Sequence, residues 1–211
     1  MNAERDNSRV RLEVENLVLM RGEATILNGI SFEVKSGGAL LVTGPNGAGK
    51  TSLLLALAGF LRAASGTIEL TGLAKDSFAR EATHYVGHAP AIKNALSVAE
   101  NLRFWSGLLG GGDVTPALEA AGLGPLGQMP AGFLSAGQAR RLALARLVAI
   151  PRPLWFLDEP TAALDDQGAV WVNRMIAQHL EGGGLAVIAT HLPLGLNGAV
   201  ETLALSPRRA A

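Results

Sequence analysis

Gly44, Gly49, Lys50 and Thr51 stand in the spacing G-x-x-x-x-G-K-T, the arrangement that binding a chain of phosphates requires. Glycines let successive backbone N–H groups wrap an anion without side-chain interference. A helix starting behind the turn adds free amides and the positive end of its dipole. Lys50 supplies a cation for β- and γ-phosphates, and the Thr51 hydroxyl offers a hard oxygen to Mg²⁺. The candidate nucleotide ligands are therefore Gly44, Pro45, Asn46, Gly47, Ala48, Gly49, Lys50, Thr51 and Ser52, with a nucleoside triphosphate and Mg²⁺ as the expected ligands; which triphosphatase carries the turn, the rest of the chain must say. A chance glycine turn between a strand and a helix is the plain alternative, but strand, loop, Lys-Thr pair and helix all fall in order.

The elements around this turn must hold it in place. Ala39–Val42 is an apolar run suited to a short buried strand, and the Leu- and Ala-rich stretch after Thr51 holds good helix formers. Upstream, residues 10–34 alternate and are rich in β-branched types, which predicts two or three antiparallel strands with a turn at Arg21-Gly22. Downstream, Gly66–Thr71 and Thr83–Gly87 read as strands. Ser97 to about Gly124 is helical with glycine breaks. Ser135–Ile150 is a helix with Ser135 as its N-cap. Pro153–Leu157 is an apolar strand ending in Asp158-Glu159. A helix over about Asp166–Leu180, a strand at Leu185–Thr190 and a last strand in VETLAL complete the chain. Strands alternating with helices after residue 39 predict a mainly parallel sheet.

Four further motifs follow the phosphate turn: LSAGQ at Leu134–Gln138, LWFLDEP at Leu154–Pro160, AALD at Ala162–Asp165 and ATH at Ala189–His191. Each has an ordinary reading by itself: a helix cap, a solvated loop, a surface or core histidine. In this order they resemble the nucleotide-binding subunits of ABC transporters, over essentially the whole chain. The resemblance implies an α/β P-loop fold, with an antiparallel β subdomain and a helical subdomain at about 88–150 inside one nucleotide-binding domain, 1–211. It implies that Asp158 helps hold Mg²⁺, that Glu159 is the general base for the attacking water, and that His191 contacts the γ-phosphate. It also implies that Ser135 and Gly137 complete the site of a second subunit, in a head-to-tail homodimer with ATP sandwiched at two sites and Asp165 at the seam.

Two positions depart from the family pattern. The place of the usual adenine-stacking aromatic is held by Arg21, which either stacks its guanidinium on the base or is a solvated turn residue. The usual glutamine before the helical insertion is absent from YVGHAPAIKNALSVAENL, and His88 occupies its place.

The segment GHAPAIKNALSVAENLRFW and the ending soon after THLPL resemble the subfamily serving the haem exporter of cytochrome c biogenesis. That implies a subunit peripheral to the cytoplasmic face of a bacterial inner membrane. Its partners would be CcmB-like, CcmC-like and CcmD-like integral membrane subunits, and its hydrolysis would be linked to release of a haem-loaded chaperone. Phe104 and Trp105 either line a surface for a membrane subunit or pack a core. His84, His88 and His179 are scattered and read as ordinary polar or packing residues rather than haem ligands.

Composition agrees with these expectations. The chain has 211 residues, 48% hydrophobic and 17% charged, with zero formal net charge and no cysteine. Zero net charge gives no footprint for nucleic acid, and disulfides are excluded. The charged N-terminus lacks the apolar core of a signal peptide. Gly182–Val200 is interrupted by His191, Pro193, Asn197 and glycines, which argues against a membrane span. Three rivals remain. One is a transporter subunit for another small molecule. Another is a soluble ABC ATPase on ribosomes or DNA, disfavoured by the near-zero net charge and by the want of a second ATPase domain or a long coiled-coil insertion. The third is a regulatory subunit that binds ATP without turnover, against which Lys50, Asp158, Glu159 and His191 weigh while His88 in place of glutamine leaves it open.

Overall fold

The computed structural model describes residues 10–73, 81–196 and 198–206. The N-terminal stretch read above as lacking a leader lies, for residues 1–9, outside the described residues. The chain falls into two compact units. One takes the described residues up to Tyr85, then Pro153–Glu159, and those from Ile176 onward. The other takes Val86–Arg152 and Pro160–Met175.

The first unit holds two sheets. Strands β1 (Arg11–Arg21), β2 (Ala24–Lys35) and β4 (Ser65–Thr71) form an antiparallel sheet in the order β2-β1-β4. Burial alternates along much of β1, placing Leu12, Val14, Leu17 and Leu19 in the core, as one buried face requires. The β1–β2 turn falls at Gly22-Glu23, one residue later than the sequence suggests. Arg21 still pairs with Ala24 as the last rung, and the left-handed φ of 60° falls on the glycine.

The second sheet has the order β5-β6-β7-β3-β8, from β5 (Thr83–Val86), β6 (Leu154–Asp158), β7 (Leu185–Ala189), β3 (Ala39–Thr43) and β8 (Val200–Ala204). The β6–β7, β7–β3 and β3–β8 pairs are parallel. Every residue of β6 and β7 is buried, as expected of strands covered on both faces. The tail VETLAL, read as a last strand, supplies β8 beside β3. Helix α1 (Lys50–Leu57) follows β3 and buries Leu53, Leu54 and Leu57.

The second unit is helical. It contains α2 (Val98–Leu109), α3 (Thr115–Ala120) and α4 (Ala136–Ala149), and the start of α5 (Asp166–Glu181), whose last turns belong to the first unit. Gly110, at a φ of 75°, ends α2 and produces the break legible as glycines in the sequence. Val98, Leu102, Leu118, Leu123 and Leu142 anchor its core. Among the described residues no helix is long and apolar enough to cross a membrane.

Candidate P-loop nucleotide site

The sheet register brings three strand ends together in the first unit. Ala189 of β7 pairs with Val42 of β3 on one side and Asp158 of β6 on the other. The turn after β3, the Asp158-Glu159 pair and His191 therefore all emerge at the carboxyl edge of one sheet, where open α/β sheets place ligands.

The turn is shaped by its glycines. Gly44 takes a φ of 135°, and a Cβ there would overlap the Leu205 carbonyl oxygen. Gly49 takes a φ of 104° and is the N-cap of α1. A Cβ on Gly49 would meet Leu27 Cδ2 at 2.8 Å, so the β1–β2 hairpin that ends in Arg21 backs directly onto the turn. No side chain caps α1. Helices α2 and α4, by contrast, are each closed by a full capping box, Ser97 with Glu100 and Ser135 with Gln138. The uncapped start of α1 behind a glycine cradle is what a phosphate chain needs, and the residues fit one. Lys50 is 8% exposed, and its Nζ donates to the carbonyls of Gly44 at 2.7 Å and Pro45 at 3.3 Å. The ammonium thus lies across the turn that it would serve. Ser52 follows Thr51 in the first turn of α1 and is half-buried.

Thr51 Oγ1 donates to Asp158 Oδ2 at 2.8 Å. Hydroxyl and carboxylate make a hard oxygen pair of the kind Mg²⁺ takes when phosphates supply further ligands, so these residues fit that ion. Among the described residues, no cluster of three or more His, Cys, Asp or Glu could form an all-protein metal cage. Glu159 follows at a φ of 49°, a strained left-handed conformation for a non-glycine residue, and its N–H donates to the Ala189 carbonyl at 2.8 Å. His191 Nδ1 lies 2.8 Å from Glu159 Oε2, and the His191 backbone N–H donates to the same oxygen at 3.4 Å. An ionised carboxylate only accepts, so Nδ1 carries the proton. Arg21 ends β1 on the exposed side of the hairpin.

The second unit carries the remaining candidates. Ser135, exposed, caps α4: its Oγ accepts from Gln138 N–H at 3.2 Å, and Gln138 Oε1 accepts from Ser135 N–H at 2.9 Å. Gly137 lies in the first turn, where a Cβ would approach the Ala163 carbonyl to 3.0 Å. Asp165 Oδ1 accepts from Gly168 N–H at 2.8 Å and from Arg141 Nη2 at 2.7 Å, and these bonds hold its carboxyl below the usual carboxylate range. His88 is exposed. Phe104 is 42% exposed with Lys93 Nζ 4.7 Å above its ring, whereas Trp105 is half-buried with the Arg146 guanidinium 5.0 Å from its ring. In the first unit, His84 is buried and His179 stacks on Trp155 at 3.7 Å, both in packing positions. The sequence reading missed Arg140 and Asn101. The signal for Arg140 was an arginine in step with the apolar positions Ala143, Leu144 and Leu147 of one helix face.

A glycine cradle, an uncapped helix and a Thr–Asp oxygen pair at a parallel sheet's carboxyl edge define a P-loop nucleoside triphosphatase. Residues 27–162 match the family model described as ABC transporter, and the chain belongs to that family. A cytochrome c biogenesis ATP-binding export protein, CcmA, from Rhodopseudomonas palustris (strain BisB5) is 49% identical over 187 residues, covering 88% of this chain and 94% of the relative. CcmA of Mesorhizobium japonicum is 50% identical over 194 residues, covering 90% and 96%. Among solved structures, a putative ABC transporter ATP-binding protein from Pyrococcus furiosus superposes with a TM-score of 0.78 at 24% identity, over 92% of this chain and 97% of its own. An ATP-binding cassette of an ABC transporter in its ADP conformation, MJ1267, gives 0.72 at 24% identity, over 88% and 83%. Both structural likenesses establish the fold.

Proposed function

We propose that this chain is the ATP-hydrolysing subunit of an export complex serving cytochrome c biogenesis. Its turnover is coupled to release of a haem-loaded chaperone. The observation that carries the catalytic half is the Glu159–His191 contact of 2.8 Å, at the same sheet edge as the Thr51–Asp158 pair. The CcmA relatives carry the cargo half.

In this reading Lys50 and the amides of Gly47–Ser52 bind the β- and γ-phosphates of ATP. Thr51 and Asp158 hold Mg²⁺, which when bound neutralises phosphate charge. Glu159 takes the proton of the attacking water, and His191, 2.8 Å from the Glu159 carboxylate, contacts the γ-phosphate. Arg21 takes the adenine-stacking position of the family or is a solvated turn residue, and His88 takes over part of the role of the family's glutamine, which senses Mg²⁺ and the membrane partner. Ser135 and Gly137 present the N-terminus of α4 to the nucleotide of a second copy, and the two copies work beneath CcmB-like membrane subunits, with CcmC- and CcmD-like subunits alongside.

The test replaces the native copy in its host with Glu159→Gln and stains membranes for covalently bound haem. Loss of all c-type cytochromes, with other haem proteins intact and the variant normally expressed, supports the proposal. Normal c-type cytochromes in a deletion strain overturn the cargo, leaving an ABC ATPase for another substrate.

A further inference from the structure

Arg140 lies in the second turn of α4 and is 3% exposed. Its guanidinium meets three backbone carbonyls: Nη1 donates to Gly87 at 2.7 Å and more weakly to His88 at 3.5 Å, and Nε donates to Pro160 at 3.2 Å. One planar group therefore joins the turn that bears His88, the helix capped by Ser135, and the peptide that follows Glu159 in the chain.

Each of these segments is also fastened on its own account. Asn101, 3% exposed, accepts from Lys93 N–H at 2.8 Å and donates to the carbonyls of Lys93, Leu96 and Ser97, which fixes the far end of the His88 segment to α2. Arg141 and Gly168 fix Asp165. Gly137 sits so close to the Ala163 carbonyl that a side chain there would push the two apart, whereas exposed Ala136 in the same turn faces open surface. Arg140 is the group whose one side chain touches the His88 turn and the Pro160 peptide at once.

Burying a guanidinium costs heavily in desolvation, and packing alone would favour an apolar side chain. The fork geometry of arginine holds two separated acceptors at a fixed spacing, which a lysine point charge does not. We infer that Arg140 is a positioning residue for ATP turnover, setting the His88 turn and the Pro160 peptide against the helix that carries Ser135. The inference rests on the ATPase reading above. It acts on the chemical step, because the phosphate-binding turn makes none of these contacts, and misplacing reacting groups by an ångström costs rate more than affinity.

The experiment measures ATP turnover by the full-length chain purified with the subunits that accompany it from its host. Wild type and Glu159→Gln come first, and absence of wild-type turnover removes the ATPase reading and this inference with it. With turnover established, Arg140→Lys and Arg140→Gln are compared with wild type. Lysine keeps the charge but reaches one segment at a time, so kcat is expected to fall about tenfold or more while KM for ATP stays within about twofold. Cooperative melting is expected to persist. A wild-type kcat in either folded variant overturns the inference, as does a loss confined to KM. Loss of cooperative melting in both variants also overturns it, since Arg140 is then a structural support only.

Discussion

Thr51 and Asp158, 107 residues apart in the chain, meet through a 2.8 Å hydrogen bond from hydroxyl to carboxylate. The bond joins the first turn of α1 to the end of β6 and puts two hard oxygens in reach of one ion. Thr51→Ala removes one of them and leaves the Asp158 carboxylate in place. The Mg²⁺ concentration for half-maximal turnover is expected to rise about tenfold, with nucleotide binding in EDTA little changed. A Mg²⁺ titration of turnover checks this, and an unaltered midpoint removes Thr51 from the metal site.

Lys50→Ala removes the cation that lies across the Gly44–Gly49 turn, the proposed phosphate cradle. A hydrogen bond to a charged partner contributes about 1.5–3 kcal/mol, so ATP affinity should fall by roughly tenfold to a hundredfold. Fluorescent-nucleotide titration measures it. Unchanged affinity and turnover would falsify the assignment of this turn to phosphate.

Glu159→Gln keeps the shape of the side chain and loses the carboxylate proposed as the base. Turnover is expected to drop by about a hundredfold or more while ATP binding persists, so that an ATP-bound dimer accumulates. Size-exclusion chromatography with ATP, in the presence of the membrane subunits, separates the outcomes: a variant that remains monomeric there counts against the two-site sandwich.

His179 links the fold to pH. Its ring lies flat on Trp155 at 3.7 Å and its Nε2 meets the Leu185 carbonyl at 3.1 Å. Burial lowers its pKa from the ordinary 6.5 to about 4. The unfolded chain therefore takes up this proton first. The histidine costs no stability above about pH 6.5, and the cost grows as pH falls from there towards 4, reaching about 3 kcal/mol. His179→Gln removes the titration, so the gap in unfolding free energy between variant and wild type should shift in favour of the variant across that window. Denaturant melts at pH 7, 5.5 and 4 test it; a gap that stays constant with pH would show that His179 does not titrate there.

Local chemistry was the legible part of this chain. The turn at Gly44–Thr51, the cap at Ser135 and the Asp158-Glu159 pair at a strand end are written in a few consecutive residues, because a glycine cradle and a helix cap are local devices. The order β5-β6-β7-β3-β8 was not legible, since it depends on which buried strands pair, and β6 and β7 look alike in sequence. The hairpin turn was misplaced by one residue because Arg21 and Glu23 are equally polar and only the rung with Ala24 decides between them. Arg140 was marked in the sequence only by its step with the apolar face of α4; its acceptors, 53 and 20 residues away at Gly87 and Pro160, leave no local signal.

Lys50 has an entropic consequence. Fixing a free lysine side chain costs about 2 kcal/mol in lost rotamers. Here the Gly44 and Pro45 carbonyls already hold the ammonium, so folding has borne that cost before any nucleotide arrives. In the proposed site, incoming phosphate oxygens would exchange with these carbonyl oxygens around an ammonium already in place, whereas an arginine there, longer and forked, would have to find a new conformation first.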